Sequence, residues 1–89
     1  MKTVRLIIKG RVQGVYYRAS AKEVADLLGI KGWVKNLPDS NVEVNATASE
    51  ETLQKFIAWS KDGPPRAIVD EIIVEEITFQ EFNNFKILR

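Results

Sequence analysis

Two short stretches of the chain hold residue types whose spacing suits chemistry on an anion. The first is Gly10-Arg11-Val12-Gln13-Gly14-Val15-Tyr16-Tyr17-Arg18. Glycines at 10 and 14 let the backbone curl until successive N–H groups face one point. A helix starting directly afterwards adds its own unpaired N–H donors and the positive end of its dipole. Arg18, near that start, supplies a planar fork of donors that matches two phosphate oxygens. Together they describe a cradle for a dianionic phosphate. The plainer alternative is an ordinary strand–helix connection with a solvated arginine. The second stretch is Gly32-Trp33-Val34-Lys35-Asn36-Leu37-Pro38-Asp39. Asn36 offers both donor and acceptor, enough to hold one water in a fixed orientation. Its plainer alternative is a turn asparagine bonded to its own backbone.

Composition narrows the chemistry further. The 89 residues include no cysteine and no histidine. That removes the thiolate nucleophile, the Ser-His and Cys-His dyads, the usual neutral-pH base and the commonest transition-metal ligands. Asp39, Asp62 and the Glu75-Glu76 pair lack the spacing of a metal cage and read as solvated acids, so neither metal nor cofactor is expected. Net charge is only +1, too balanced for a domain held on nucleic acid mainly by charge. The charge is unevenly spread, at +6 over residues 1–35 and −5 over the remainder, so an anion site belongs in the first third. An RNA-binding module would show base-stacking aromatics on Val4–Lys9 and Val42–Thr47, which have none. No run approaches the ~18 apolar residues of a membrane span, and Met1–Arg5 lacks the apolar core of a signal peptide. Neither nucleic acid nor membrane is expected as a partner.

The elements that must position these residues follow from periodicity. Val4–Lys9 is β-branched and partly alternating, a strand. From about Tyr17, apolar residues at Ala21, Val24, Ala25 and Leu28 give a helix that Gly29 ends. Trp33–Lys35 and Val42–Thr47 read as strands around a Pro38-Asp39-Ser40-Asn41 turn. Ser49 caps a second helix with Leu53, Phe56, Ile57 and Ser60 on its buried face, stopped by Gly63-Pro64-Pro65. A strand within Ile68–Ile77 follows, its register ambiguous because Ile72-Ile73-Val74 is apolar on both faces, and Phe85–Leu88 suits a short final strand. The β-α-β-β-α-β order predicts an α+β, ferredoxin-like split β-α-β sandwich: an antiparallel sheet with two helices on one face. A chain this short suits a single domain over residues 1–89. Trp33, Phe56, Trp59 and Phe79 are expected to pack rather than to form a ligand box.

The two stretches together resemble the acylphosphatase family, whose signature runs G-R-V-Q-G-V-x-[FYM]-R and then G-[WY]-x-x-N-x-x-D-G. The likeness covers nearly the whole chain, including Gly63-Pro64-Pro65-Arg66-Ala67 and the Phe85-x-Ile87 ending. The resemblance implies a hydrolase that splits acyl phosphates into carboxylate and inorganic phosphate, without metal or covalent intermediate. It implies that Arg18 binds the phosphate, that Asn36 orients the attacking water, and that the amides of Gly10, Arg11, Val12, Gln13, Gly14, Val15 and Tyr16 wrap the phosphate. Inorganic phosphate is then product and competitive inhibitor, and a small cytoplasmic monomer is expected. Three departures stand out. Position 16 is Tyr where the family commonly has a small residue, so a phenol narrows the cradle's mouth or offers its hydroxyl. Asp39-Ser40-Asn41 lacks the usual turn glycine, with Asn41 the residue tolerant of left-handed geometry. Asn45-Ala46-Thr47-Ala48-Ser49 replaces a more acidic, glycine-containing stretch. With Tyr16 in the cradle, the competing function is a catalytically weak anion-binding or interaction domain of the same fold.

Overall fold

A computed structural model describes all residues, Met1–Arg89. The elements run β1 (Lys2–Arg11), α1 (Tyr17–Leu28), β2 (Lys31–Asn36), β3 (Val42–Ala48), α2 (Glu50–Asp62), β4 (Ile68–Ile77) and β5 (Phe85–Ile87). The strands form one five-stranded sheet in the order β4-β1-β3-β2-β5. Alternation along β1 suits its interior place, between β4 and β3. Val4, Leu6 and Ile8 are buried in the core, while Arg5 and Lys9 turn to the other face. Val42, Val44, Ala46 and Ala48 of β3 bury the matching face beside them. Against this layer α1 sets Tyr17, Ala21 and Ala25, and α2 sets Leu53, Phe56 and Ile57.

The ambiguous register of β4 is decided by its neighbour. Ile72 and Val74 lie opposite Ile8 and Leu6, on the helix-facing side. That leaves Glu71 and Glu75 opposite Lys9 and Arg5 on the outer face, where Arg5 and Glu75 pair at 2.6 Å. A slip of one residue would put apolar side chains against Arg5 and Lys9 and carboxylates against the core.

The expected antiparallel sheet holds for four strands, but β5 pairs parallel to β2. The cause is the path of the chain. β4 occupies the edge opposite β2 and runs against it. A chain that reverses after β4 and crosses to the far edge therefore arrives travelling with β2. The crossing is tied down on the outer face, where the Gln80 carbonyl accepts from Thr47 Oγ1 at 2.8 Å and its N–H donates to Thr3 Oγ1 at 2.8 Å.

Tyr17 fixes where α1 begins. Its ring is buried and tilted against Trp59 at 5.4 Å, and its hydroxyl donates to the Ser60 carbonyl at 2.9 Å. This anchors the start of α1 to α2 and places Arg18 one residue further on. Burial pushes the Tyr17 phenol up to about 12 from an ordinary value of 10.0. Between those two values the folded protein keeps a proton that the unfolded chain has released, so stability falls as pH rises through the window. Tyr17→Phe is expected to lose about 1 kcal/mol at neutral pH with its hydrogen bond. It should also show a shallower loss of stability from pH 10 to 12, measured by urea unfolding. An unchanged alkaline slope would remove Tyr17 as its source.

Candidate active site

The loop between β1 and α1 starts later than the glycine spacing predicts. Gly10 and Arg11 belong to β1, paired with Val69 and Ile68 across a bulge that follows Lys9. Gly10 is glycine for a different reason from the one expected. At φ 127° its missing Cβ would stand 2.2 Å from the Ile68 carbonyl oxygen, so the position serves close strand approach. The loop proper is Val12–Tyr16, with the Val12 and Val15 side chains buried. It is curled by left-handed residues at its middle and its end, Gly14 at φ 74° and Tyr16 at φ 64°.

That curl leaves the donors of the loop free. No backbone N–H from Val12 to Tyr16 donates to an acceptor in the protein; the first bond of α1 runs from Ser20 N–H to the Tyr16 carbonyl. The N-terminus of α1 also has no side-chain cap and no acid in its first turn. The contrast with α2 is direct, because Ser49 caps that helix and Glu50 and Glu51 sit in its first turn. Loop amides and helix start thus form a concave set of donors with nothing negative supplied by the chain.

A cleft of about 480 Å³ opens over these donors, lined by Val12, Gln13, Gly14, Tyr16, Tyr17, Arg18 and Ala19 from the loop and α1, together with Asn36, Ile87 and Arg89. Arg18 is half-buried and makes no ion pair or hydrogen bond with any side chain or carbonyl. The lining holds a second arginine, Arg89, and no Asp or Glu. Asn36, at the end of β2, faces the same cleft, and its Oδ1 is buried with no partner in the protein. An orphaned buried acceptor costs about 1–3 kcal/mol unless a water or ligand bonds it; Asn45 Oδ1, on β3 outside the cleft, is the other such atom.

Of the residues singled out from sequence, the cleft gathers Val12, Gln13, Gly14, Tyr16, Arg18 and Asn36. It leaves Gly10 and Arg11 on β1 and the Val15 side chain in the core. Gln13 contributes in an unexpected way. Its Nε2 donates to the carbonyls of Leu37 at 2.9 Å and Asn41 at 2.8 Å, tying the turn after Asn36 to the loop. That turn takes its left-handed residue at Ser40, φ 77°, rather than at Asn41, whose N–H and Nδ2 are instead held by the Asp39 carboxylate. Ile87 and Arg89 were not anticipated, since no local pattern links the end of the chain to residue 18. Trp33 packs under the Lys35 ammonium, 5.2 Å from its ring centre. Phe56 and Trp59 pack in or against the core as expected, whereas Phe79 is more than half exposed.

The acylphosphatase family model matches residues 4–87. The chain belongs to the acylphosphatase family. An acylphosphatase of Methylococcus capsulatus is 47% identical over 90 residues, covering 100% of this chain and 98% of that protein. One from Marinobacter nauticus is 46% identical, covering 91% and 89% of the two chains. The crystal structure of the Bacillus subtilis acylphosphatase superposes with a TM-score of 0.97 at 38% identity, over 100% of both chains. This acylphosphatase-family member is therefore a hydrolase on a ferredoxin-like α/β frame, and none of its helices is long and apolar enough to cross a membrane.

The left-handed Tyr16 carries a consequence for stability. A non-glycine residue there costs about 1–2 kcal/mol, and glycine gives back roughly 0.5–1 kcal/mol through unfolded-chain entropy. Tyr16→Gly is therefore expected to raise stability by about 0.5–1 kcal/mol. The conformational freedom of glycine taken alone predicts a small loss instead; the observed φ of 64° reverses the sign. Chemical denaturation checks it, and a destabilised glycine variant would show that the Tyr16 ring supports the loop.

Proposed function

We propose that residues 1–89 act as one acylphosphatase domain that hydrolyses the carboxyl–phosphate bond of acyl phosphates by attack of water at phosphorus. The observation that carries this reading is the convergence, in one acid-free cleft, of unpaired loop amides, the unpaired Arg18 and the orphaned Asn36 oxygen. The amides of Val12–Tyr16 and the start of α1 hold the equatorial phosphate oxygens. Arg18 binds two of them through its fork and stabilises the charge that spreads over them in a loose transition state. Asn36 Oδ1 accepts a hydrogen bond from the attacking water and so turns the water's lone pair toward phosphorus.

The P–O bond to the acyl group breaks as the water oxygen bonds to phosphorus, and the carboxylate leaves with the electron pair. A carboxylate leaves without protonation because it is a weak base, its conjugate acid having a pKa near ~4. The water's proton passes to a phosphate oxygen, so the step as proposed needs no imidazole base, metal or covalent intermediate. Gln13 serves as a positioning residue, holding the Asn36 turn against the loop.

Hydrolysis of benzoyl phosphate, followed by loss of its ultraviolet absorbance, tests the reading. Saturable turnover inhibited competitively by inorganic phosphate is expected. Phosphate binding without turnover would leave an anion-binding domain in its place.

A further inference from the structure

A phosphate held by the loop and Arg18 would fill only part of a cleft of about 480 Å³, and the remainder is bounded by two exposed apolar side chains and Arg89. Of the large hydrophobic side chains this protein exposes, Tyr16 at 74% and Ile87 at 38% both line it. They reach the cleft from opposite ends of the sequence, Tyr16 from the loop before α1 and Ile87 from β5. Tyr16 makes no hydrogen bond through its hydroxyl and no aromatic pair, so its ring returns nothing to the fold for the strain of its left-handed backbone. Strained residues of this kind persist where surrounding structure and function hold them. Its backbone stands in the donor loop, so its ring is rooted where the group attached to a bound phosphate must pass.

We propose that Tyr16 and Ile87 form an acyl-binding subsite at the mouth of this cleft, selecting acyl phosphates whose acyl group is aromatic. The subsite deepens the hydrolase reading and rests on it for the identity of the ligand. An aryl ring entering the mouth removes the exposed faces of both side chains from water and gains an offset or tilted ring contact with the phenol. A methyl group as small as that of acetyl phosphate covers little of either. The phenol hydroxyl has no part in this, so phenylalanine at 16 preserves the selectivity and glycine abolishes it.

The test uses hydrolytically inert phosphonates, so that selectivity is read apart from turnover. Dissociation constants of benzoylphosphonate and acetylphosphonate are measured by calorimetry for wild type, Tyr16→Phe, Tyr16→Gly and Ile87→Ala. Each variant is read as the ratio of the two constants, which cancels any change common to both ligands. Wild type and Tyr16→Phe should favour the benzoyl ligand about tenfold, as an aromatic contact with its buried area supplies. The ratio should fall to about twofold or less in Tyr16→Gly and to an intermediate value in Ile87→Ala. Equal affinities in wild type, or a ratio that survives both Tyr16→Gly and Ile87→Ala, overturns the subsite. Failure of both phosphonates to bind overturns it together with the cradle. A selective wild type that does not hydrolyse benzoyl phosphate sinks the hydrolase reading while the subsite stands.

Discussion

Arg18→Ala is expected to lower kcat/KM for benzoyl phosphate by about 10²–10⁴-fold and to weaken inhibition by inorganic phosphate in parallel. A hydrogen bond to a charged group is worth about 1.5–3 kcal/mol, and a bidentate guanidinium makes two. At ~1.36 kcal/mol per decade of rate, their loss gives that range. The structure makes the interpretation direct. Arg18 is engaged with no carboxylate, so its removal leaves no partner stranded and folding stability should be nearly unchanged. Lysine at 18 should restore only part of the activity, because a point charge cannot match two oxygens at once. Near-wild-type kcat/KM and phosphate inhibition in the alanine variant would take Arg18 out of the site.

Asn36→Ala should behave differently, and the difference separates the two roles. A kcat lower by about 10²–10³-fold is expected, since a donor or acceptor aimed at the reacting atoms contributes on that order. The inhibition constant of inorganic phosphate should stay within about twofold, because the side chain is assigned to the water and not to the anion. Loss of phosphate affinity with kcat retained would reverse that assignment. A turn asparagine would instead reveal itself through stability. The structure argues against that alternative, for the turn after Asn36 is closed by Leu37, Asn41 and the Gln13 amide while Asn36 Oδ1 bonds to nothing. A thermal midpoint of Asn36→Ala at or above that of wild type is therefore expected, since alanine removes an unpaired buried acceptor and strands no partner.

Local physics was legible in the chain before any fold was known. Ser49, Glu50 and Glu51 announce the start of α2, and Gly29 and Gly63-Pro64-Pro65 the ends of the two helices, because caps and breakers act within a few residues. The order of elements and the core faces of both helices were legible for the same reason, whereas joining Arg18 and Asn36 into one candidate site rested on the resemblance to the family signature. Periodicity assigns the faces, and each motif is a contiguous run. At Tyr16 the local account was incomplete. Residue type alone marks a bulky side chain; only the backbone angle shows that the chain bears strain at that residue.

What the tertiary structure alone decided depends on residues far apart in sequence. The register of β4 was undecidable from Ile72-Ile73-Val74, and became definite when Arg5 and Lys9 required carboxylates opposite them. β5 runs parallel to β2 because β4 lies on the far edge of the sheet, a fact about topology that no window of residues contains. Gly10 is glycine on account of a carbonyl at Ile68, and Gln13 is an amide on account of carbonyls at Leu37 and Asn41. The arrival of Ile87 and Arg89 beside Arg18 follows from that same crossing of the outer face. Short-range preferences choose the elements and carry the chemical groups. The partners of those groups are set by packing, which acts through space between segments whose separation along the chain it does not record.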